Sequence, residues 1–170
     1  GADTLDGGLG ADILVGEAGV DLIYGGAGAD SIDGGDDNDL IYAEDGDDYA
    51  RGGLGDDAII AGAGNDRIDG DGGHDSMDGG IGADTIYGGD GNDYARGGEG
   101  NDLLIGQSGN DRLDGEDGDD AIDGGVGDYT VYAGAGNDYV LGDDGADVLI
   151  GGAGNDSIYG GAGADSIDAG

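Results

Sequence analysis

The chain has 170 residues, 47 of them glycine, with no proline, cysteine, tryptophan or phenylalanine; 41 Asp and Glu against four Arg and no Lys give a formal charge of −37. Few large apolar residues and so much like charge exclude an ordinary globular core, a transmembrane helix of about 20 apolar residues, a disulfide framework and a thiolate zinc site. The acidity disfavours nucleic acid and anionic membranes as partners and points toward cations.

From the first residues onward a single nine-residue period runs without insertion or deletion. Asp stands at Asp3, Asp12, Asp21, Asp30, Asp39, Asp48, Asp57, Asp66, Asp75, Asp84, Asp93, Asp102, Asp111 and Asp120, then at Asp138, Asp147, Asp156 and Asp165. Tyr129 is the one exception. Glycine lies two residues before each of these positions, except at Asp37, and an aliphatic residue two after, reduced to alanine at Ala50 and Ala95. The unit is G-G-x-G-x-D-x-U-x, with U aliphatic. A disordered acidic linker has no reason to hold its aliphatic residues nine apart, because nothing in it packs.

In chain order, each unit reads as a six-residue polar turn followed by a three-residue x-U-x strand. Alternation in x-U-x sends U to one side and its neighbours to the other. The glycines suit a turn that needs positive φ or close backbone approach. Two turns and two strands, roughly 18 residues in all, close one coil of a nonapeptide solenoid. Stacked coils predict an all-β solenoid with two parallel sheets and a thin file of Leu5, Leu14, Ile23, Ile32, Ile41 and their successors between them. At about 4.8 Å per parallel strand, some nine and a half coils make a rod roughly 45 Å long. One aliphatic residue per strand is a thin core, so the turns need another source of cohesion.

Stacking of successive coils sets Asp3 over Asp21 and Asp12 over Asp30. Like charges about 5 Å apart repel strongly unless neutralised, and only Arg51, Arg67, Arg96 and Arg112 are cationic. Carboxylates plus the carbonyls of glycine-rich turns match the six to eight oxygens that calcium takes, better than the small octahedral shell of magnesium; zinc would want His or Cys. Segments such as GGAGADSID at 25–33 and GGAGNDSIY at 151–159 resemble the nonapeptide of the repeats-in-toxin (RTX) family, a calcium-binding β-solenoid signature. The resemblance spans the whole chain. It implies a right-handed parallel β-roll in which each calcium lies between turns of adjacent coils, held by the two stacked aspartates and by backbone carbonyls of both loops. Carried onto this chain, it implies 17 stacked pairs, 15 of them Asp–Asp, hence about 15 to 17 calcium ions. Tyr129 puts the pairs with Asp111 and Asp147 in doubt, with Asp128 as a substitute oxygen. Fifteen divalent ions would bring the charge of −37 to about −7, tolerable for a soluble rod.

A second period of 45 overlies the first: DSIDGG at 30–35 returns as DSMDGG at 75, DAIDGG at 120 and DSIDAG at 165. Tyr49, Tyr94 and Tyr139 obey the same step, as do Arg51 with Arg96 and Arg67 with Arg112. These positions face outward if U faces in. Leu22, Tyr24, Leu40, Tyr42 and Ile60 are expected to form an apolar ladder on one sheet, followed by Tyr87, Leu103 and Ile105 on the other and by Tyr132, Val148 and Ile150 back on the first. Block duplication accounts for the period; burial against a neighbouring rod or surface protein accounts for it as a self-association face.

Acid pairs occur everywhere, so they carry no catalytic information, and no enzyme is expected. His74 reads as a solvated turn residue, and the G-x-G runs lack the context of a dinucleotide fingerprint. Thr4, Thr85 and Thr130 are too scattered for an ice-binding face. No secretory signal opens the chain; it begins and ends in mid-turn without a cap, so it is expected to be one continuous array, residues 1–170, cut from a longer one. The expected role is a secreted or cell-surface structural β-roll that folds on calcium, in a filament, adhesin or surface layer. The alternative is the C-terminal export and folding module of a secreted RTX enzyme or toxin.

Overall fold

The structure, a computed structural model, describes all residues from Gly1 to Gly170. It contains strands and no helix, so no helix is long and apolar enough to cross a membrane. The expected solenoid forms. Each strand pairs in parallel with its counterpart one coil on, as in Leu22↔Leu40, Ile23↔Ile41 and Tyr24↔Tyr42. Successive strands alternate between a 10-stranded and an 11-stranded sheet. The first sheet carries Ile23, Ile41 and Ile59; the second carries Ile32, Ile68 and Ile86.

Strand extent departs from the expectation. Most strands are six residues long, such as Leu22–Ala27 and Ser31–Asp36, leaving only three residues for the turn between them. The pairing explains why: after Tyr24↔Tyr42 it skips the first glycine and resumes at Gly26↔Glu44 and Ala27↔Asp45. Each strand is therefore a three-residue arm, a bend at the first glycine and a two-residue arm. Ladder hydrogen bonds need only backbone groups, so the low strand preference of glycine does not stop the sheet from continuing.

The core is a file of 19 buried residues between the sheets. It contains the U residues from Ile23 to Leu149, together with Ala43, Ala61, Ala133 and Tyr129. Leu5, Leu14 and Ile158 near the ends are only partly buried, because a terminal coil has a neighbour on one side. Outside the sheets, Tyr24 stacks on Tyr42 at 5.4 Å with the rings nearly parallel. That pair begins the outward ladder expected from the sequence.

Candidate metal centres on the two turn edges

The turn at Gly25–Asp30 represents the repeat. Gly26 (φ 106°) and Gly28 (φ 132°) lie in the left-handed region. A Cβ on Gly28 would run into the backbone of Gly10, one coil below. At the position equivalent to Gly26, Glu17, Glu44, Asp71, Gln107, Glu116 and Asp143 also adopt positive φ, between 61° and 78°. Asp37, at the position equivalent to Gly28, takes φ 77°, as its tolerance for that conformation predicts. The first glycine has a different reason to be bare. A Cβ on Gly25 would lie 2.8 Å from Asp30 Oδ2 and 2.6 Å from the carbonyl oxygen of Ala43. Gly142 repeats this, with Asp147 Oδ2 and the Gly160 carbonyl oxygen each at 2.6 Å. The carboxylate of one turn and a carbonyl of the next coil converge beside an empty Cα.

The two oxygens of each ladder aspartate have separate fates. Oδ1 accepts the backbone N–H of the ladder residue one coil below: Asp21 N–H to Asp39 Oδ1 and Asp66 N–H to Asp84 Oδ1 are each 2.8 Å. The series starts at Asp3 and ends at Asp165. Oδ2 is buried and has no hydrogen-bond partner in every ladder aspartate from Asp12 to Asp156. Only Asp3 and Asp165, at the two ends, fall outside that set. A buried acceptor without a donor costs about 1–3 kcal/mol, more when charged, and here the defect repeats in register.

In the column carboxyls from Asp39 to Asp147 burial raises the pKa above its ordinary 3.8, and in most of them neighbouring carboxylates push in the same direction. The hydrogen bond to Oδ1 opposes but does not cancel the rise. Asp57, Asp66 and Asp111 reach about 6; Asp75, Asp84 and Asp120 reach about 7. No three His, Asp or Glu side chains converge anywhere, so each centre offers two stacked carboxylates and must complete its shell with backbone oxygens. Hard oxygen donors of this kind, with net negative charge and no soft ligand, fit calcium.

The RTX calcium-binding nonapeptide repeat (4 copies) matches residues 1–32, 15–50, 24–59, 42–77, 51–86, 69–104, 96–131, 117–149 and 141–170. The chain belongs to this family. No curated protein matches it. Calcium is therefore the ion that RTX repeats of this type take.

Two features of this RTX array lie outside the repeat signature. Tyr129 takes a ladder position yet is fully buried. Its N–H still donates to Asp147 Oδ1 at 2.9 Å, and its hydroxyl donates to the Gln107 carbonyl at 3.1 Å. The ring fills the cradle at Gly124, where an added Cβ would lie 2.6 Å from Tyr129 Cδ2. It occupies the space in which a column carboxylate elsewhere points its Oδ2. Asp128, one residue before, lies on the exposed rim, where its Oδ1 accepts the Ala146 N–H at 2.8 Å.

That rim contact belongs to a second ladder, which the sequence pattern did not reveal. From Asn38 to Asn137, the residue before each ladder position accepts the backbone N–H of its counterpart one coil above, except at Ala83, which has no side-chain acceptor. Examples are Asn65 N–H to Asp47 Oδ1 at 2.8 Å and Asn110 N–H to Asn92 Oδ1 at 2.8 Å. His74 is one rung: exposed in its turn, it accepts the Asn92 N–H at Nδ1 at 2.8 Å. Asn, Asp and His alternate at this position because any short side-chain acceptor serves, and that mixture made it look variable.

Proposed function

We propose that this chain is a calcium-locked structural rod of a secreted or cell-surface protein, and that its ladder aspartates hold about fifteen calcium ions between adjacent coils. The observation that carries this reading is the in-register double column of buried Oδ2 atoms without donors. In each centre two stacked aspartates of adjacent coils supply carboxylate oxygens, and carbonyls of both loops complete the shell. The ion supplies the positive charge; the chain supplies the stacked oxygens and excludes water from them. Without it, the like charges and the thin core leave the chain unfolded, so binding and folding are coupled.

Extracellular calcium sites of this class work at about 10⁻⁴ to 10⁻³ M. Such a chain stays extended in a low-calcium cytosol and locks after export. Its outward apolar ladders then pack against a neighbour in a surface layer, adhesin or filament. The 45-residue period, which calcium binding does not require, favours this over a second reading, in which the array is the export and folding module of a secreted enzyme or toxin.

The test is circular dichroism during a calcium titration from chelator to the millimolar range. Disorder should give way cooperatively to β structure, with about fifteen ions bound per chain. A spectrum unchanged by calcium refutes the reading.

A further inference from the structure

The four arginines form two constellations, one on each sheet face. On one face the Arg67 guanidinium lies over the rings of Tyr49 at 5.8 Å and Tyr87 at 4.4 Å. The Tyr49 hydroxyl donates to Asp69 at 2.7 Å, and Arg51 bridges Asp33 and Asp71. On the opposite face Arg112 lies over Tyr94 at 5.4 Å and Tyr132 at 4.8 Å. There the Tyr94 hydroxyl donates to Asp114 at 3.0 Å, and Arg96 bridges Asp78 and Glu116. Each of these contacts recurs after five units, which is two and a half coils. That step is half a turn about the rod and a rise of about 12 Å. Through this block the rod superposes on itself by a two-fold screw, in side-chain contacts as well as in sequence.

Charge is segregated in the same geometry. Outward positions of the three-residue arms carry all four arginines and seven of the 41 acidic residues, and Asp71 and Glu116 reach onto the faces to meet Arg51 and Arg96; most of the others line the turn edges. The faces are therefore far less charged than the edges and carry apolar rows such as Leu22 with Tyr24 and Leu103 with Ile105. Three-residue arms about 10 Å long over a rod of about 45 Å give a flat strip on the order of 450 Å² per face. Two such strips bury about 900 Å² in all, the size of a weak, concentration-dependent contact.

We propose that the partner of each face is a second copy of this chain, and that rods join side by side into an open ribbon. Because the two faces are equivalent under the screw, a contact made on one is available on the other, and association does not close at a dimer. The proposal rests on the calcium-locked fold, since only the folded rod presents these faces.

The test is analytical ultracentrifugation of the full chain in millimolar calcium at rising concentration, with circular dichroism on each sample. The weight-average mass should climb past the dimer without a plateau and fall to monomer in chelator. Ile105→Glu with Leu141→Glu charges one face; Leu40→Glu with Ile150→Glu charges the other. Either pair should halt growth at a dimer or below, and all four together should give monomer, with the β signal of the parent retained. A fully folded parent that stays monomeric or stops at a dimer overturns the ribbon, as does a one-face variant that grows like the parent. No β signal in calcium overturns the calcium reading, and the ribbon with it.

Discussion

The two turn edges of the roll differ at one position. Along one edge the carboxylate column runs unbroken from Asp12 to Asp156; along the other it runs from Asp3 to Asp111, meets Tyr129 and resumes at Asp147. The coils stack in the same register on both sides of the break: Thr130↔Val148 and Arg112↔Thr130 pair as their counterparts do elsewhere. Turn shape therefore comes from the glycines and the inter-coil hydrogen bonds. The carboxylate is dispensable for that shape, and its second oxygen takes no part in it. Tyr129 replaces a buried carboxylate by an aromatic ring with its own hydrogen bond.

The largest expected effect involves both edges. Folded, the buried column carboxyls keep protons up to about pH 6–7; unfolded, they release them near 3.8. In that window the folded state binds more protons, so the stability of the metal-free roll falls as pH rises from about 4 to 7 and is greatest below it. Circular dichroism in chelator should show more β structure at pH 4 than at pH 7.5. Calcium at pH 7.5 should restore it.

Next comes a cut in the unbroken edge. Asp84→Ala removes a ligand from two stacked centres, with Asp66 and with Asp102. Calorimetric titration should lose two calcium equivalents. At a hundred times the site Kd the loss is about 5 kcal/mol of stability by mass action.

The break itself gives a third test. Tyr129→Ala should leave calcium stoichiometry unchanged and cost about 3–4 kcal/mol through the cavity, measured by urea denaturation in calcium. Tyr129→Asp should instead add two calcium equivalents and make the two edges alike, while destabilising the chain in chelator by another buried carboxylate. The smallest effect belongs to Asp37, a non-glycine residue at φ 77°: Asp37→Gly should stabilise the roll by about 1 kcal/mol, read from the same denaturation curves.

The column aspartates, the inward file and the strain at Asp37 were legible because each depends on one residue type at a fixed step. So was the placement of Tyr24 beside Tyr42. The strand limits were not, because a glycine reads as turn even where its backbone stays in the ladder. The rim ladder through Asn65 and His74 was hidden by chemical redundancy. The arginine bridges were hidden for a different reason. Arg51 and Asp71 are not in register along the repeat, since the step between them exceeds one coil. They meet only because Asp71, at φ 68°, aims its side chain outward where a glycine would carry none.

One property of the stacking bears on mechanics. The chain enters the rod at one end and leaves at the other, and each coil touches only its two neighbours. A coil adds about 5 Å to the rod but, drawn straight, spans roughly 60 Å. Under tension along its axis such a rod yields one coil at a time, each step lengthening it by about tenfold the height lost. Calcium concentration then sets the force at which the steps begin. The roll is a reel of reserve length whose brake is an ion.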